Sequence, residues 1–239
     1  MNDELIEIFK KGANTFDIQL SNLEIKDFFS FMNLLKEWNT KINLTSIIDE
    51  KEIILKHFID SLSILPFIKN KKSTFIDVGT GAGFPGIPIN IVHRNLKVTL
   101  LDSLEKRIKF LNIIKNSLNL ENLITIHGRS EDLGALHNHR QKYDYAVSRA
   151  VASLPVLLEY CLPFVKIDGV FIAMKGSNIE EIDNSKKSLE LLGGKIEEIK
   201  SFTLPFSDIK RNIIIIRKFR QTLIKYPRKA GIPLKNPLQ

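Results

Sequence analysis

A strand that ends in alternating glycines and runs on into a helix leaves a chain few ways to fold. Residues Thr74 to Asn90, TFIDVGTGAGFPGIPIN, have that form. Phe75, Ile76 and Val78 make a short apolar run of the kind found in strands covered on both faces. Gly79, Gly81 and Gly83 follow, and Pro85 stands where a helix can begin, because proline fits a first helical turn. Glycine lets the backbone approach a ligand closely, and a helix N-terminus offers free N–H groups. The stretch predicts a small-molecule cradle.

Two ligands compete for it. Gly81, Gly83 and Gly86 satisfy the G-x-G-x-x-G dinucleotide pattern, with Asp102 about 20 positions further on. Asp77, two residues before the first glycine, points elsewhere. A carboxylate there opposes a pyrophosphate but suits the sulfonium and ammonium groups of S-adenosylmethionine. The methyl donor is therefore the first reading and a nicotinamide cofactor the second. A turn that only permits tight packing is the third.

The chain of 239 residues suffices for one sizeable core with an extension. Its hydrophobic content of 44% and charged content of 26% are those of an ordinary globular protein. No apolar run reaches the ~20 residues of a membrane span, and the start, MNDELIEIFKK, lacks the pattern of a secretory signal. A single cysteine, Cys161, forms no internal disulfide. The expectation is a cytoplasmic protein.

The net charge of +8 is local. Arg217, Lys218, Arg220, Lys225, Arg228, Lys229 and Lys235 lie in residues 217–239, which hold no acid. The rest of the chain carries 28 basic against 27 acidic side chains, a net of +1. Basic groups with Tyr226 among them suit an RNA backbone and a stacked base. On that reading the tail attracts RNA and contributes little to the cradle. Against it stand a solvated disordered tail, and a tail packed on the domain with Tyr226 and Ile232 buried.

Three segments are expected: a helical extension over 1–68, a ligand-binding domain over 69–219, and a basic tail over 220–239. Ser21 and Glu24 form a capping box ahead of Phe28, Phe31, Leu35 and Trp38. Asp49 and Glu52 resemble a second helix start, leading to Ile53, Ile54, His57, Phe58, Ser61, Leu62 and Leu65. WNTKINLTS between them reads as a loop, where Asn39 and Asn43 serve either a site or the turn backbone.

From Ser73 onward strands and helices alternate, which predicts a parallel sheet covered on both faces. The strands are Thr74–Val78, 97–101, Leu123–His127, 143–147 and 170–174. The helices between them cover 104–118, Leu154–Cys161 and 179–191, and Gly128–Glu131 is a turn. The fourth strand closes on Ser148, Arg149 and Ala150, and the fifth on Lys175 and Gly176. Residues 195–202 and 212–217, joined by a short loop, predict a terminal antiparallel hairpin. Five crossover-linked strands and a hairpin fit a methyltransferase sheet better than a paired-halves dinucleotide fold.

FIDVGTGAGFPGIPINIV, LLDSLEKRIKFL and VSRAVASL, with WNTKINLTS and HFIDSL upstream and YPRKAGIPLKNPL at the end, resemble the bacterial small-subunit rRNA guanine-N7 methyltransferases, the RsmG or GidB family. The resemblance runs from about Trp38 to the C-terminus. It is loose before Trp38 and over Leu133–Lys142. It implies an α/β, class I S-adenosylmethionine-dependent fold, Rossmann-like, with a seven-stranded, mostly parallel sheet. It also implies 16S rRNA of the small ribosomal subunit as acceptor. Carried onto matching positions, it places Gly79, Phe84, Ser130, Glu131 and Arg149 in the donor site.

The residues suggest roles beside those. Asp77, Gly79, Gly81 and Gly83 cradle the donor's amino-acid end. Asp102 accepts from ribose hydroxyls, or caps the helix that follows. Ser130 and Glu131 reach the adenine edge, and Phe84 covers the donor with apolar surface. Guanine N7 has a free lone pair and no proton to lose, so the chemistry asks for alignment and not for a general base. Arg149 and Lys175, leaving the fourth and fifth strands, stand where the acceptor is held; a structural ion pair is the alternative for Arg149. His57 and Cys161 read as packing residues. His127, His137 and His139 lack a metal-ligand arrangement, so no metal is expected. A monomer is expected as well.

Overall fold

The computed structural model describes residues 3–149, 152–177 and 180–239. Helix α1 (Asp3–Asn14) precedes α2 (Asn22–Ile42). The capping box forms: Glu24 N–H donates to Ser21 Oγ at 3.3 Å, and Ser21 N–H to the Glu24 carboxylate at 2.7 Å. Helix α2 buries Ile25, Phe28, Phe29, Phe31, Met32 and Leu35. It does not stop at Trp38. It runs through Ile42 and ends on Asn43 in the left-handed region, φ 48°.

Asn39 explains the extension. Its Oδ1 accepts from Leu44 N–H at 2.6 Å and Thr45 N–H at 2.8 Å, while its Nδ2 donates to the Thr45 carbonyl at 2.9 Å. The asparagines thus satisfy turn backbone, which moves the loop to the far end of WNTKINLTS.

Asp49 caps the next helix by accepting from Glu52 N–H at 2.9 Å. This helix is continuous through α3 (Glu50–Ile53), a π-helical stretch (Ile54–Ile59) and α4 (Asp60–Leu62). Phe9, Phe28, Phe31 and Phe58 pack ring against ring beneath it, with Phe9–Phe28 centroids 4.8 Å apart and Phe28–Phe58 5.0 Å. The same core takes in Phe75, Val98 and Leu100 of the sheet. The helical extension therefore covers one sheet face.

The sheet is built from β1 (Thr74–Val78), β2 (Lys97–Asp102), β3 (Leu123–His127), β4 (Tyr143–Ser148), β5 (Val165–Lys175), β6 (Gly194–Thr203) and β7 (Lys210–Lys218). Their order is β3-β2-β1-β4-β5-β7-β6. The first five strands are parallel, and β7 inserts antiparallel between β5 and β6. A paired-halves dinucleotide fold has the order 3-2-1-4-5-6. The antiparallel insertion separates the two.

The crossovers are α5 (Gly86–Val92), α6 (Glu105–Ser117), α7 (Ser130–Ala135), α8 (Leu154–Cys161) and α9 (Lys186–Leu192). Ser130 and Glu131 stand in the first turn of α7, not in a bare turn. A 3₁₀ segment, Glu180–Ser185, leads into α9, so the expected helix over 179–191 is broken. Ile179, like Ala150 after β4, lies outside the described residues. Strand β5 starts five residues earlier than its apolar run suggests, pairing Val165 with Tyr143 before an irregularity. Cys161 is buried in the second core, between the sheet and α8, where burial pushes its thiol up. No helix of the described residues is long and apolar enough to cross a membrane.

After β7 the chain continues packed, ending in α10 (Ile232–Lys235). Tyr226 is buried, whereas Ile232 is 42% exposed. Burial pulls the Lys218 ammonium down to about 7, and it donates to the Leu162 carbonyl and to Thr222 Oγ1. Arg228 pairs with Glu159, which is 0% exposed. The basic tail is thus a docked segment, and several of its charges are committed to the domain.

Candidate active site

Gly79, Asp102, Arg149 and Lys175 lie at the C-terminal ends of parallel strands, the edge where open α/β sheets bind ligands. Two cavities open there. The smaller, about 200 Å³, is lined by Gly79, Asp102, Ser130 and Glu131 together with Gly128, Ser148 and Tyr160. Gly79 and Gly81 adopt φ +73° and +62°, and a Cβ on either meets nothing within 4 Å. Their missing side chains leave open space. Gly83 differs: a Cβ there lies 2.4 Å from Ile87 Cδ1, so this glycine serves close packing of turn on helix.

Asp102 organises the turn. Its Oδ2 accepts from Gly81 N–H at 2.9 Å and its Oδ1 from Leu104 N–H at 2.9 Å, with the Arg107 guanidinium at 3.3 Å. It braces the glycine loop and the entry to α6 together, and Arg107 reaches both of its oxygens, at 3.5 Å for Oδ1 and 3.3 Å for Oδ2. Glu131 accepts from Ser130 Oγ at 3.1 Å and from Gly231 N–H at 2.9 Å. The second of these bonds comes from a residue the sequence gives no reason to place there.

Asp77 is fully buried beneath the turn. Its Oδ2 accepts from Thr80 Oγ1 at 2.6 Å and Gly86 N–H at 2.9 Å, while Oδ1 has no partner. Burial pushes its carboxyl up to about 6, against the pull of the Thr80 and Gly86 hydrogen bonds and of Arg149. A pKa raised on folding means stability that is fully present below the ordinary value, 3.8, and lost as pH rises through about 6. Wild-type protein should therefore gain about 2 kcal/mol relative to Asp77→Asn when pH drops from 7 to 4. Urea unfolding of both at the two pH values measures it, and a constant difference contradicts the raised carboxyl.

The larger cavity, about 670 Å³, is lined by Lys56, His57, Asp60, Arg149, Lys175 and Arg211, among others. Arg149 spans it. Its Nη1 donates to Asp60 Oδ2 at 3.1 Å and to the Lys56 carbonyl at 3.1 Å, and its Nη2 lies 3.2 Å from His57 Nδ1. The guanidinium sits over the Phe84 ring, 5.0 Å from its centroid. Arg211 Nε holds the other Asp60 oxygen at 3.0 Å.

A guanidinium only donates, so His57 Nδ1 is bare and Nε2–H donates to Thr45 Oγ1, 2.9 Å away. Burial, aided by Arg149, pulls His57 down to about 3, and the ring is neutral. It stacks on Phe84 at 4.5 Å. Phe84 is buried against His57, Phe31 and Phe58 and lines neither cavity. Lys175 Nζ is held by Glu181 at 2.8 Å and by the Ala152 carbonyl at 2.7 Å.

Sequence reasoning missed Asp60, Arg211 and Glu181 as site residues. A buried aspartate in the apolar stretch HFIDSL was the available signal, since such a charge needs partners. Its partners lie 89 and 151 residues away, and no spacing announces them.

The donor set can be tested against its candidate ligands. The smaller cavity offers carboxylates at Asp102 and Glu131, and Asp77 leaves an unpartnered oxygen beneath the turn. That set suits hydroxyl, amino and cationic groups and opposes a pyrophosphate. S-adenosylmethionine fits it.

Sheet order, glycine turn and acidic strand end together define a class I S-adenosylmethionine-dependent methyltransferase. Solved structures agree at the level of fold. TYW2 from M. jannaschii in complex with AdoMet gives a TM-score of 0.52 at 17% identity, over 64% of this chain and 72% of that one. Precorrin-6y C5,15-methyltransferase from Geobacter metallireducens gives 0.51 at 14%, over 66% and 86%. The family described as rRNA small subunit methyltransferase G matches residues 24–214. Ribosomal RNA small subunit methyltransferase G of Acetivibrio thermocellus is 62% identical over 98% of this chain and 97% of its own. The protein of that name in Alkaliphilus metalliredigens is 49% identical over 97% and 98%. The chain belongs to the rRNA small subunit methyltransferase G family.

Proposed function

We propose that this protein transfers a methyl group from S-adenosylmethionine to N7 of a guanine in 16S rRNA of the small ribosomal subunit. The observation that carries the donor half is the open pair Gly79 and Gly81 braced by Asp102, in a sheet of order 3-2-1-4-5-7-6. The acceptor half rests on family membership and on the cation-lined cavity beside it.

S-adenosylmethionine supplies an electrophilic methyl carbon. Gly79, Gly81 and Gly83 shape the turn against which the donor's amino-acid end lies, and Asp77 supports that turn from below. Asp102 receives the ribose hydroxyls, Ser130 and Glu131 meet the adenine edge, and Phe84 holds Arg149 through its ring face. Arg149 lies between the two ligands, and Lys175 faces the acceptor.

The protonation states support attack by a lone pair. His57 is neutral with both nitrogens engaged, and Asp60 is spent on Arg149 and Arg211. Glu181 holds Lys175 and the Leu154 N–H. None of these groups is free to take a proton, and N7 gives none up. The work left to the cavity is alignment, which supplies up to ~7–11 kcal/mol when reacting atoms are held at attack distance.

Calorimetry separates the methyl donor from the alternative. S-adenosylmethionine should bind stoichiometrically and NAD should not; tight NAD binding without donor binding rejects the reading. A cytoplasmic monomer, needing no metal, belongs to the same proposal.

The exposed basic groups should attract RNA. Lys225, Lys229 and Lys235 point to solvent, whereas Arg228 is paired. Replacing these three lysines with glutamine should flatten the dependence of log K on log salt by about 0.7–0.9 for each phosphate no longer neutralised. Filter binding across a salt series reads the slope; an unchanged slope removes the tail from the RNA-binding surface.

A further inference from the structure

The C-terminal segment reaches the smaller cavity from behind, and it touches the two helices that wall it. Gly231 donates its N–H to Glu131 Oε1 at 2.9 Å, fixing a carboxylate that lines the cavity. Arg228 grips Glu159 of α8 through four hydrogen bonds: backbone N–H to Oε1 at 2.8 Å, Nε to Oε1 at 2.9 Å and to Oε2 at 3.1 Å, and Nη2 to Oε2 at 2.6 Å. Tyr160, the next residue on α8, and Leu157, two before it, line the cavity.

Arg140 completes the attachment. It donates to the Thr222 carbonyl at 2.7 Å, to the Tyr226 carbonyl at 2.7 Å, and to the Gly134 carbonyl of α7 at 3.0 Å. Gly231 can aim its N–H because it adopts φ +82°, in the left-handed region that glycine tolerates. Glu159, fully buried, is neutralised only by a residue of the tail among the salt bridges of the described residues.

We propose that Arg228 and Gly231 are positioning residues of the donor site, so that docking of the C-terminal segment and binding of the methyl donor are coupled. The inference rests on the donor reading above and names the segment that completes its site. Gly231 holds the Glu131 carboxylate in one rotamer, and the Arg228–Glu159 clasp sets where α8 lies against α7. A donor seated on Glu131 and Tyr160 then favours the docked tail. By linkage, the docked tail favours the donor by the same factor.

The double variant Arg228→Leu with Glu159→Leu removes the clasp without stranding a buried charge. Calorimetry with S-adenosylhomocysteine should show affinity reduced at least about five-fold, the low end of ordinary site-to-site coupling. KM for the methyl donor should rise by the same factor, with KM for rRNA near wild type. Gly231→Ala, whose Cβ meets nothing within 4 Å, strains the loop without a clash and should shift affinity the same way by less.

A third readout needs no variant: in wild-type protein, S-adenosylhomocysteine should slow hydrogen exchange at the Gly231 amide. Affinity unchanged in a folded double variant, or Gly231 exchange indifferent to ligand, overturns the coupling while leaving the donor reading intact. S-adenosylhomocysteine that fails to bind wild-type protein overturns both.

Discussion

Gly81→Val is expected to abolish S-adenosylmethionine binding while leaving the protein folded. Gly81 adopts φ +62°, where a β-branched residue is a conformational outlier. Its Cβ meets no protein atom within 4 Å, so the valine clashes with nothing until a ligand arrives. Backbone strain of about 1–2 kcal/mol is the expected stability cost. The affinity loss should reach at least about 100-fold, or ~2.7 kcal/mol. Gly83→Val makes the contrast: its side chain runs into Ile87 and Leu111, so folding should fail along with binding. Calorimetry and thermal unfolding on both variants read the two effects apart. Donor affinity within two-fold of wild type in Gly81→Val would remove the cradle from the donor site.

Arg149→Ala carries the second large effect. The guanidinium ties β4 to the helical extension through Asp60, His57 and the Lys56 carbonyl, and it covers the Phe84 ring. Removing it leaves one buried Asp60 oxygen without its cation, although Arg211 still holds the other. A stranded buried acceptor of this kind costs about 1–3 kcal/mol. The sequence left a structural ion pair open as the alternative for Arg149, and the pair with Asp60 means some loss of stability must be expected beside any loss of rate.

Methyl transfer should nevertheless fall further than stability does, at least about 100-fold in single-turnover rate. Arg149→Lys separates the roles. An ammonium keeps the charge beside Asp60 but lacks the planar fork that meets Asp60 and His57 together. It should recover part of the melting temperature and little of the rate. Rates in Arg149→Ala within a few-fold of wild type would make Arg149 a structural cross-link only.

How much of this was legible in the sequence depends on how far each cause reaches along the chain. The cradle was legible because it is local: only glycine takes positive φ cheaply at residues 79 and 81, and the strand before it is rich in apolar side chains. The parallel strands were legible for the same reason. The capping box at Ser21 and Glu24 marked the start of α2, but its end was misplaced. Asn39 looks like a loop residue until its side chain is seen closing the turn beyond it.

The larger cavity was half legible. Arg149 and Lys175 follow strand ends and could be placed there. Asp60 and Arg211 come from the helical extension and the last strand, and only the folded sheet joins them. The tail was the least legible part. Seven positive charges without an acid pointed to RNA, with a solvated arm and a docked segment left as alternatives. The counter-charge that docks Arg228, Glu159, sits on α8 within an apolar run, LLEYCLPF, 69 residues away in the chain.

Incubating the protein with methyl-labelled S-adenosylmethionine and small ribosomal subunits that lack the modification tests the central claim directly. Label should accumulate in 16S rRNA at one guanine, and mild reduction followed by aniline should cleave the chain there, as an N7-methylated purine requires. The Gly81→Val protein should leave the same subunits unlabelled. Label on protein or on another base atom, or none from a wild-type protein that binds the donor, contradicts the account.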